Sequence, residues 1–409
     1  MQRRSLTLIF ITLLIDSIGI GIIIPILPKL IGQVGHMGIS EAAQWGGFLI
    51  FAYAAAQFVF APIMGGLSDQ FGRRPVLIIS LIGLGVDYVF HAVAPTIELL
   101  FIGRIFAGIC GASFTTASAY IADISTDENR SQNFGLIFMA FGIGFILGPI
   151  IGGVAGMFGA RIPFWIAAGF SLVNAALCFF LLPESLDHEH RRKFQLKRAN
   201  PVGSLMQMSK FSTVLSLMIP MFLLYLASHA VQSNWSFYTT YKFKWSEAMI
   251  GISLAVVGVM IAVVQGLLIR LIVPKLGEVR SIIVGFFLYF VGMLLFALAT
   301  NTAMMMSFIA VYTLGGISGP ALQGIMAAQV PQNQQGELNG GTTSLIAITS
   351  ILGPLIMNSL FAFFTSSKTT VILPGAPMLL GAFLILLATI ACIRPLKRMA
   401  HKSVEIPEM

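Results

Sequence analysis

The chain has 409 residues, 57% of them hydrophobic and 10% charged, where a soluble domain carries roughly 25% charged residues. That composition excludes an ordinary soluble protein and points to a polypeptide that lives in a bilayer. The net charge of +8 is spread over the loops between apolar runs, so it calls for no nucleic-acid partner.

Apolar runs of about 20 residues, each long enough to cross a hydrocarbon core of about 30 Å as a helix, recur along the whole chain. They predict twelve spans, at 6–30, 44–66, 74–94, 99–121, 134–157, 162–182, 213–240, 249–272, 280–299, 303–327, 338–364 and 374–394. The first run follows Arg3 and Arg4 as a signal peptide would. It is too long, holds Asp16 and lacks a small-residue cleavage site, so it reads as a retained helix.

An even number of spans puts both termini on one side. Arg73, Arg74, Arg130, Arg191, Arg192, Lys193, Arg280, Arg394 and most other basic residues share that side, against Lys29, Arg161, Lys242, Lys244 and Lys368 opposite. The bias predicts cytoplasmic termini. Cys110, Cys178 and Cys392 lie in or beside apolar runs without pairing or metal-ligand spacing; they read as small packing residues, and neither metal nor cofactor is expected.

A polar stretch at 184–212, rich in Arg and Lys, separates an N-terminal six-helix bundle (1–183) from a C-terminal one (213–409) and reads as a solvated cytoplasmic linker. The halves also match at a fixed offset. Ile146-Leu147-Gly148-Pro149 recurs as Ile351-Leu352-Gly353-Pro354, and Gly72, Gly111 and Ser113 recur as Gly277, Gly316 and Ser318, each 205 positions later (148 to 353, 72 to 277). Two such repeats make an all-α membrane architecture typical of transporters, with substrate bound near mid-membrane and exposed to each side in turn.

Polar side chains inside the spans are the candidates for function, because a charge at the bilayer centre costs roughly 2.5–3.5 kcal/mol on insertion scales. Asp16 and Asp87 are candidate proton sites; for Asp16 substrate contact is a second functional reading, and capping or hydrogen-bonding a neighbouring helix is the structural alternative. Arg104 cannot shed its proton in practice and needs an anion, which Asp16 or Asp87 could provide, or a substrate. Gln57, Gln323 and His229 suit a binding cavity or an interhelical hydrogen bond, and His91 lies one helical turn from Asp87.

The loop Gly65-Gly66-Leu67-Ser68-Asp69-Gln70-Phe71-Gly72-Arg73-Arg74-Pro75 resembles the signature loop of the major facilitator superfamily. The resemblance implies twelve helices in two six-helix bundles and a cytoplasmic latch in which Asp69, Gly72 and Arg73 work with Asp123 and Arg130. The corresponding loop of the second half, Lys275 to Arg280, is degenerate. Gly144, Gly148, Pro149, Gly152 and Gly153 are similar to the motif of proton-coupled antiporters and favour export. Together with Asp16-Ser17-Ile18-Gly19-Ile20-Gly21, Asp87-Tyr88, Gly103-Arg104 and Pro320-Ala321-Leu322-Gln323-Gly324, the chain resembles the tetracycline/proton antiporter branch.

Two departures stand out. That branch carries an acid in helix 9 and, in some classes, a histidine in helix 8, where this chain has Tyr289 and Ile261. They point to a cargo other than metal-chelated tetracycline, or to proton coupling through the first half alone. The expectation is a proton-coupled exporter of an amphipathic or apolar small molecule, monomeric, in a bacterial inner membrane. The alternatives are uptake or release of a metabolite or siderophore-like anion, and a membrane receptor that transports nothing. No nucleophile, base and orienter set suggests an enzyme, and no phosphate-binding loop suggests ATP drive.

Overall fold

A computed structural model describes residues 2–126, 128–194, 212–331 and 334–404. The linker between 195 and 211 lies outside the described residues. Among the described residues twelve helical segments are long and apolar enough to cross a membrane, and large apolar side chains such as Phe138, Phe158 and Phe180 lie almost bare on the surface, as a lipid-facing exterior requires.

Several spans are not single helices. The first, expected over 6–30, is helix α1 (Gln2–Ile23), a turn, and a short helix α2 (Leu27–Gly35). Pro25 has no N–H to continue α1 and disfavours helical backbone at the residue before it, whereas Pro28 sits in the first turn of α2, where a missing N–H costs nothing. Next come α3 (Ile39–Phe71) and α4 (Arg73–Val93). The fourth span divides at Gly111-Ala112 into α5 (Ile97–Cys110) and α6 (Ser113–Ile124), and α7 (Arg130–Gly156) and α8 (Ile162–Leu181) follow.

The second half repeats these breaks. Helix α9 (Ser212–Gln232) is followed by a nine-residue helix, α10 (Trp235–Phe243), as α1 is by the nine-residue α2. The eighth span is α11 (Glu247–Val263), a π turn at Val264–Leu268, and α12 (Ile269–Leu276). After α13 (Glu278–Leu298), the tenth span passes from α14 (Thr302–Leu314) through a 3-10 turn at Gly315–Ile317 into α15 (Ser318–Ala328), matching the break at Gly111. Helices α16 (Gln335–Thr365) and α17 (Ala376–Val404) complete the described chain.

Two compact units result. One comprises Met1–Asn200 with Thr239–Gly258, the other Pro201–Tyr238 with Val259–Met409. In the first, Ile9, Leu13, Leu77, Leu81, Tyr120, Ile121 and Cys178 form a buried core, tied by an Asn174 Nδ2 donor to the Thr12 carbonyl at 3.0 Å. All three cysteines are free and buried.

Candidate transport site and latch

In the first unit α4 and α5 pack together and bring Asp87 against Arg104. The carboxylate is fully buried, Arg104 Nη2 donates to its Oδ2, and Gly103 makes the approach possible because a Cβ there would fall 2.9 Å from Asp87 Oδ1. Arg104 therefore takes Asp87 as its anion. Asp16, also buried, is served separately: Ser113 Oγ donates to its Oδ2 at 2.6 Å. The break at Gly111-Ala112 places that hydroxyl, since Ser113 is the first residue of α6.

The other face of Arg104 meets α3. Its guanidinium carbon lies 5.6 Å from the centre of the Tyr53 ring, close enough for a cation–π contact. Gln57 Nε2 donates to Tyr53 Oη at 3.1 Å and to the Gly111 carbonyl at 2.8 Å. Gln57, Tyr53, Arg104, Asp87 and His91 thus form one polar thread across α3, α5 and α4. Tyr53 escaped the sequence reading; its signal was the position four residues before Gln57, which shares its helix face.

At the other end of α4 the chain turns through Gly72, whose φ of 105° and ψ of 158° are open only to glycine at low cost. Arg73 is nearly buried; it contacts Asp69, donates through Nε to Asp123 Oδ2 at 3.0 Å, and through Nη1 to Ser68 Oγ at 2.7 Å. The structure therefore brings Asp69, Arg73 and Asp123 together, with Gly72 as the turn. Arg130 stands exposed at the first residue of α7.

A third carboxylate, Glu184, joins this cluster. Glu184 accepts hydrogen bonds from the backbone N–H groups of Arg73 (2.8 Å) and Arg74 (3.3 Å) at the start of α4, and from Ser185 and Leu186 at 3.0 and 3.1 Å. A negative group at a helix N-terminus satisfies orphan donors and complements the helix dipole. The segment expected to be a solvated linker also docks here: Arg192 N donates to the Asp69 carbonyl at 3.1 Å and Phe194 N to Gln70 Oε1 at 2.9 Å. Glu184 was legible only as an acid at the end of the sixth span.

The glycines of α7 serve two neighbours. At Gly144, Gly148 and Gly152, one turn apart, a Cβ would run into Ser17, Ile18 and Ile22 of α1. Gly153 and Pro149 face the first turns of α11, where a Cβ at Gly153 would lie 2.6 Å from the Glu247 carbonyl and one at Gly251 would strike the Pro149 carbonyl. Nearby, Lys29 Nζ pairs with Glu247 Oε1 at 2.9 Å and donates to the Gly156 carbonyl at 3.3 Å.

In the second unit Gln323 is exposed partway along its span and donates to Tyr225 Oη at 3.4 Å. An amide facing lipid would be costly, so this surface fits a water-filled path. Tyr289 stacks edge-on with Tyr312 at 5.0 Å. His229 is buried, its ring lying where a Cβ of Gly353 would sit. The glycine opens a slot for the imidazole, and Asn234 Nδ2, in the turn after α9, donates to Asn358 Oδ1 of α16 at 2.9 Å. The proposed cavity residues therefore divide between the units, Gln57 and Arg104 in one, His229 and Gln323 in the other.

A helical membrane protein built on repeated halves, with a latched loop and buried charges, is the transporter class that these features define. Residues 9–354 match the Major Facilitator Superfamily, and the chain belongs to that family. It is 37% identical over 397 residues to the class C tetracycline resistance protein of Escherichia coli, which covers 97% of both chains, and 33% identical to the class B protein over 87% of this chain and 88% of that one. Multidrug resistance protein 2 of Bacillus subtilis is 28% identical over 88% of this chain and 89% of its own. Among solved structures, a human organic anion transporter shares the fold with a TM-score of 0.70 at 24% identity, covering 96% of this chain and 99% of that one. The protein is thus an integral membrane transporter, not an enzyme, related to tetracycline and multidrug efflux proteins.

Proposed function

We propose that the protein exports an amphipathic or apolar small molecule in exchange for protons, by alternating access between its two repeats. The carrying observation is the Asp87–Arg104 pair, its carboxylate fully buried between two membrane spans, with a second buried carboxylate, Asp16, in the same unit. Packing alone does not call for such a pair, because well-packed apolar residues of similar volume are often at least as stable as a buried ion pair. Protonation of Asp87 would release Arg104, and a carboxylate that alternates between these states links proton entry to rearrangement.

The glycine seams of α7, the Asp69–Arg73–Asp123 latch and the relatedness to drug-resistance proteins support the export direction. Arg104 is already neutralised by Asp87, which weighs against a siderophore-like anion as cargo. On this reading Gln57, Arg104, His229 and Gln323 contact the cargo, both termini lie in the cytoplasm of a bacterium, and one chain suffices.

Reconstitution into liposomes with an imposed pH gradient tests it, with tetracycline and ethidium as probes. Probe-dependent proton flux is expected, and Asp16→Asn or Asp87→Asn should lower it by about a hundredfold, the low end for a positioned proton-transfer group. Binding of a probe without flux would replace the exporter with a receptor, and probe accumulation driven in the direction of proton entry would replace it with uptake.

A further inference from the structure

One ionisable group in the buried thread has no task in that reading. His91 lies on α4 one turn beyond Asp87, toward the end of the span away from the latch, and is fully buried. Its Nδ1 is 2.9 Å from the Asp87 backbone carbonyl and 3.2 Å from Asp87 Oδ1. Its Nε2 is buried with no hydrogen-bond partner among the described residues, and the ring stacks on Phe164 of α8 at 5.3 Å and 21°.

The chemistry of the neighbours fixes the proton. A carbonyl oxygen can only accept, so the neutral ring carries its hydrogen on Nδ1, and Nε2 is left as a bare lone pair in the protein interior. An apolar side chain of the same size would fill this place without that penalty. Among the described residues Asp87 is the one acid within 4 Å of the ring nitrogens; α5 presents Arg104 on Asp87 Oδ2, and α3 presents the Tyr53 ring on Arg104. From α6 comes Ser113, already bound to Asp16. Arg161, at the start of α8, donates to the carbonyls of Ala92 and Ala94 at 3.2 and 2.8 Å, closing the end of α4.

Resting on the antiport reading, we propose that His91 is the relay through which Asp87 gains and loses its proton. A proton binds Nε2, the imidazolium passes its Nδ1 proton to Asp87 Oδ1, and the ring is left neutral with its hydrogen on Nε2. The Nε2–H bond forms as an O–H bond of an incoming hydronium ion breaks, and the Nδ1–H bond breaks as the Asp87 O–H bond forms. Asp87 becomes a neutral acid and Arg104 loses its counter-charge. The reverse sequence restores the pair.

Two variants separate relay from packing. His91→Asn keeps an amide donor near the position of Nδ1, and His91→Gln fills more of the ring's volume; neither can pass a proton. In proteoliposomes, both should exchange tetracycline or ethidium across the membrane at close to the wild-type rate, while uphill movement driven by the pH gradient falls by about a hundredfold and loses its dependence on external pH. Uphill transport by His91→Asn at the wild-type rate overturns the relay, and so does an equal loss of exchange and uphill transport.

A wild-type protein that moves neither probe sinks the export reading instead. Nitrogen-15 spectra of labelled histidine in the purified protein then judge His91 alone, with its signal assigned by its disappearance in His91→Gln. A neutral ring protonated on Nδ1 whose signal shifts in Asp87→Asn upholds the inference. A ring protonated on Nε2 overturns it.

Discussion

The same two-helix seam occurs twice in this molecule, once with charge and once without. Between α4 and α5 it holds Asp87 and Arg104. At the positions 205 residues later (87 to 292, 104 to 309) α13 and α14 hold Gly292 and Ile309. There Gly292 lets the helix meet the backbone and Cβ of Tyr312, and Ile309 is fully buried. A scaffold that packs without charge in one copy shows that the seam does not require charge for cohesion, which supports the proposed functional role of the ion pair in the first copy.

Converting one seam toward the other tests this most severely. Asp87→Ala alone strands the Arg104 guanidinium and should cost about 3–5 kcal/mol, read as a lower unfolding temperature in detergent. Adding Arg104→Leu should recover most of that stability without restoring pH-driven transport. A double variant as unstable as the single one would mean that the first seam depends on its charges to hold together, and the comparison would fail.

The glycine seams sharpen the contrast. Gly148 admits the α1 backbone, whereas its counterpart Gly353 admits only the His229 ring. A main chain cannot turn aside, but a side chain can. Gly148→Ala should therefore destabilise the protein by about 1–3 kcal/mol, as overpacking does, and no change to a neighbouring side chain should repair it. Gly353→Ala should cost less and be largely rescued by His229→Ala. Equal losses without rescue would show that both seams are governed by backbone contact.

The latch loops differ in the same sense and should give the smallest effects. Gly72 and Gly277 both turn the chain with positive φ, 105° and 77°, but the position that Arg73 holds in the first copy is held in the second by Glu278, whose carboxylate lies beside Gly324. Glu184→Gln removes a charge from the start of α4 and should cost about 1 kcal/mol. Glu278→Gln lacks a grip of that kind and should be close to neutral in the same unfolding assay. A larger loss at Glu278 would show that the second loop carries a latch of its own.

The residues that pair within a few positions were legible from the start. Asp69 and Arg73 stand four apart on either side of one turn, and Asp87 and His91 one helical turn apart on α4. The spans were legible too, because crossing a membrane is a matter of apolar length. Their interruptions were less so: Pro25 marked the end of α1 openly, but the π turn at Val264–Leu268 carries no proline or glycine pair that foretells it.

Twelve spans, the repeat, the family and the short list of polar residues that a bilayer would tolerate only for a reason can all be read from the amino-acid order alone. These depend on hydrophobic length, local spacing and motif. The tertiary structure decided that Arg104 takes Asp87 while Asp16 goes to Ser113, that Tyr53 backs the guanidinium, that Glu184 grips the start of α4 and that His229 fills the slot of Gly353. Each of these contacts joins different helices, and its geometry depends on how far each helix is rotated about its axis and where along its length it meets its neighbour. Those quantities are set by packing over the whole unit and are not written in any local stretch of chain.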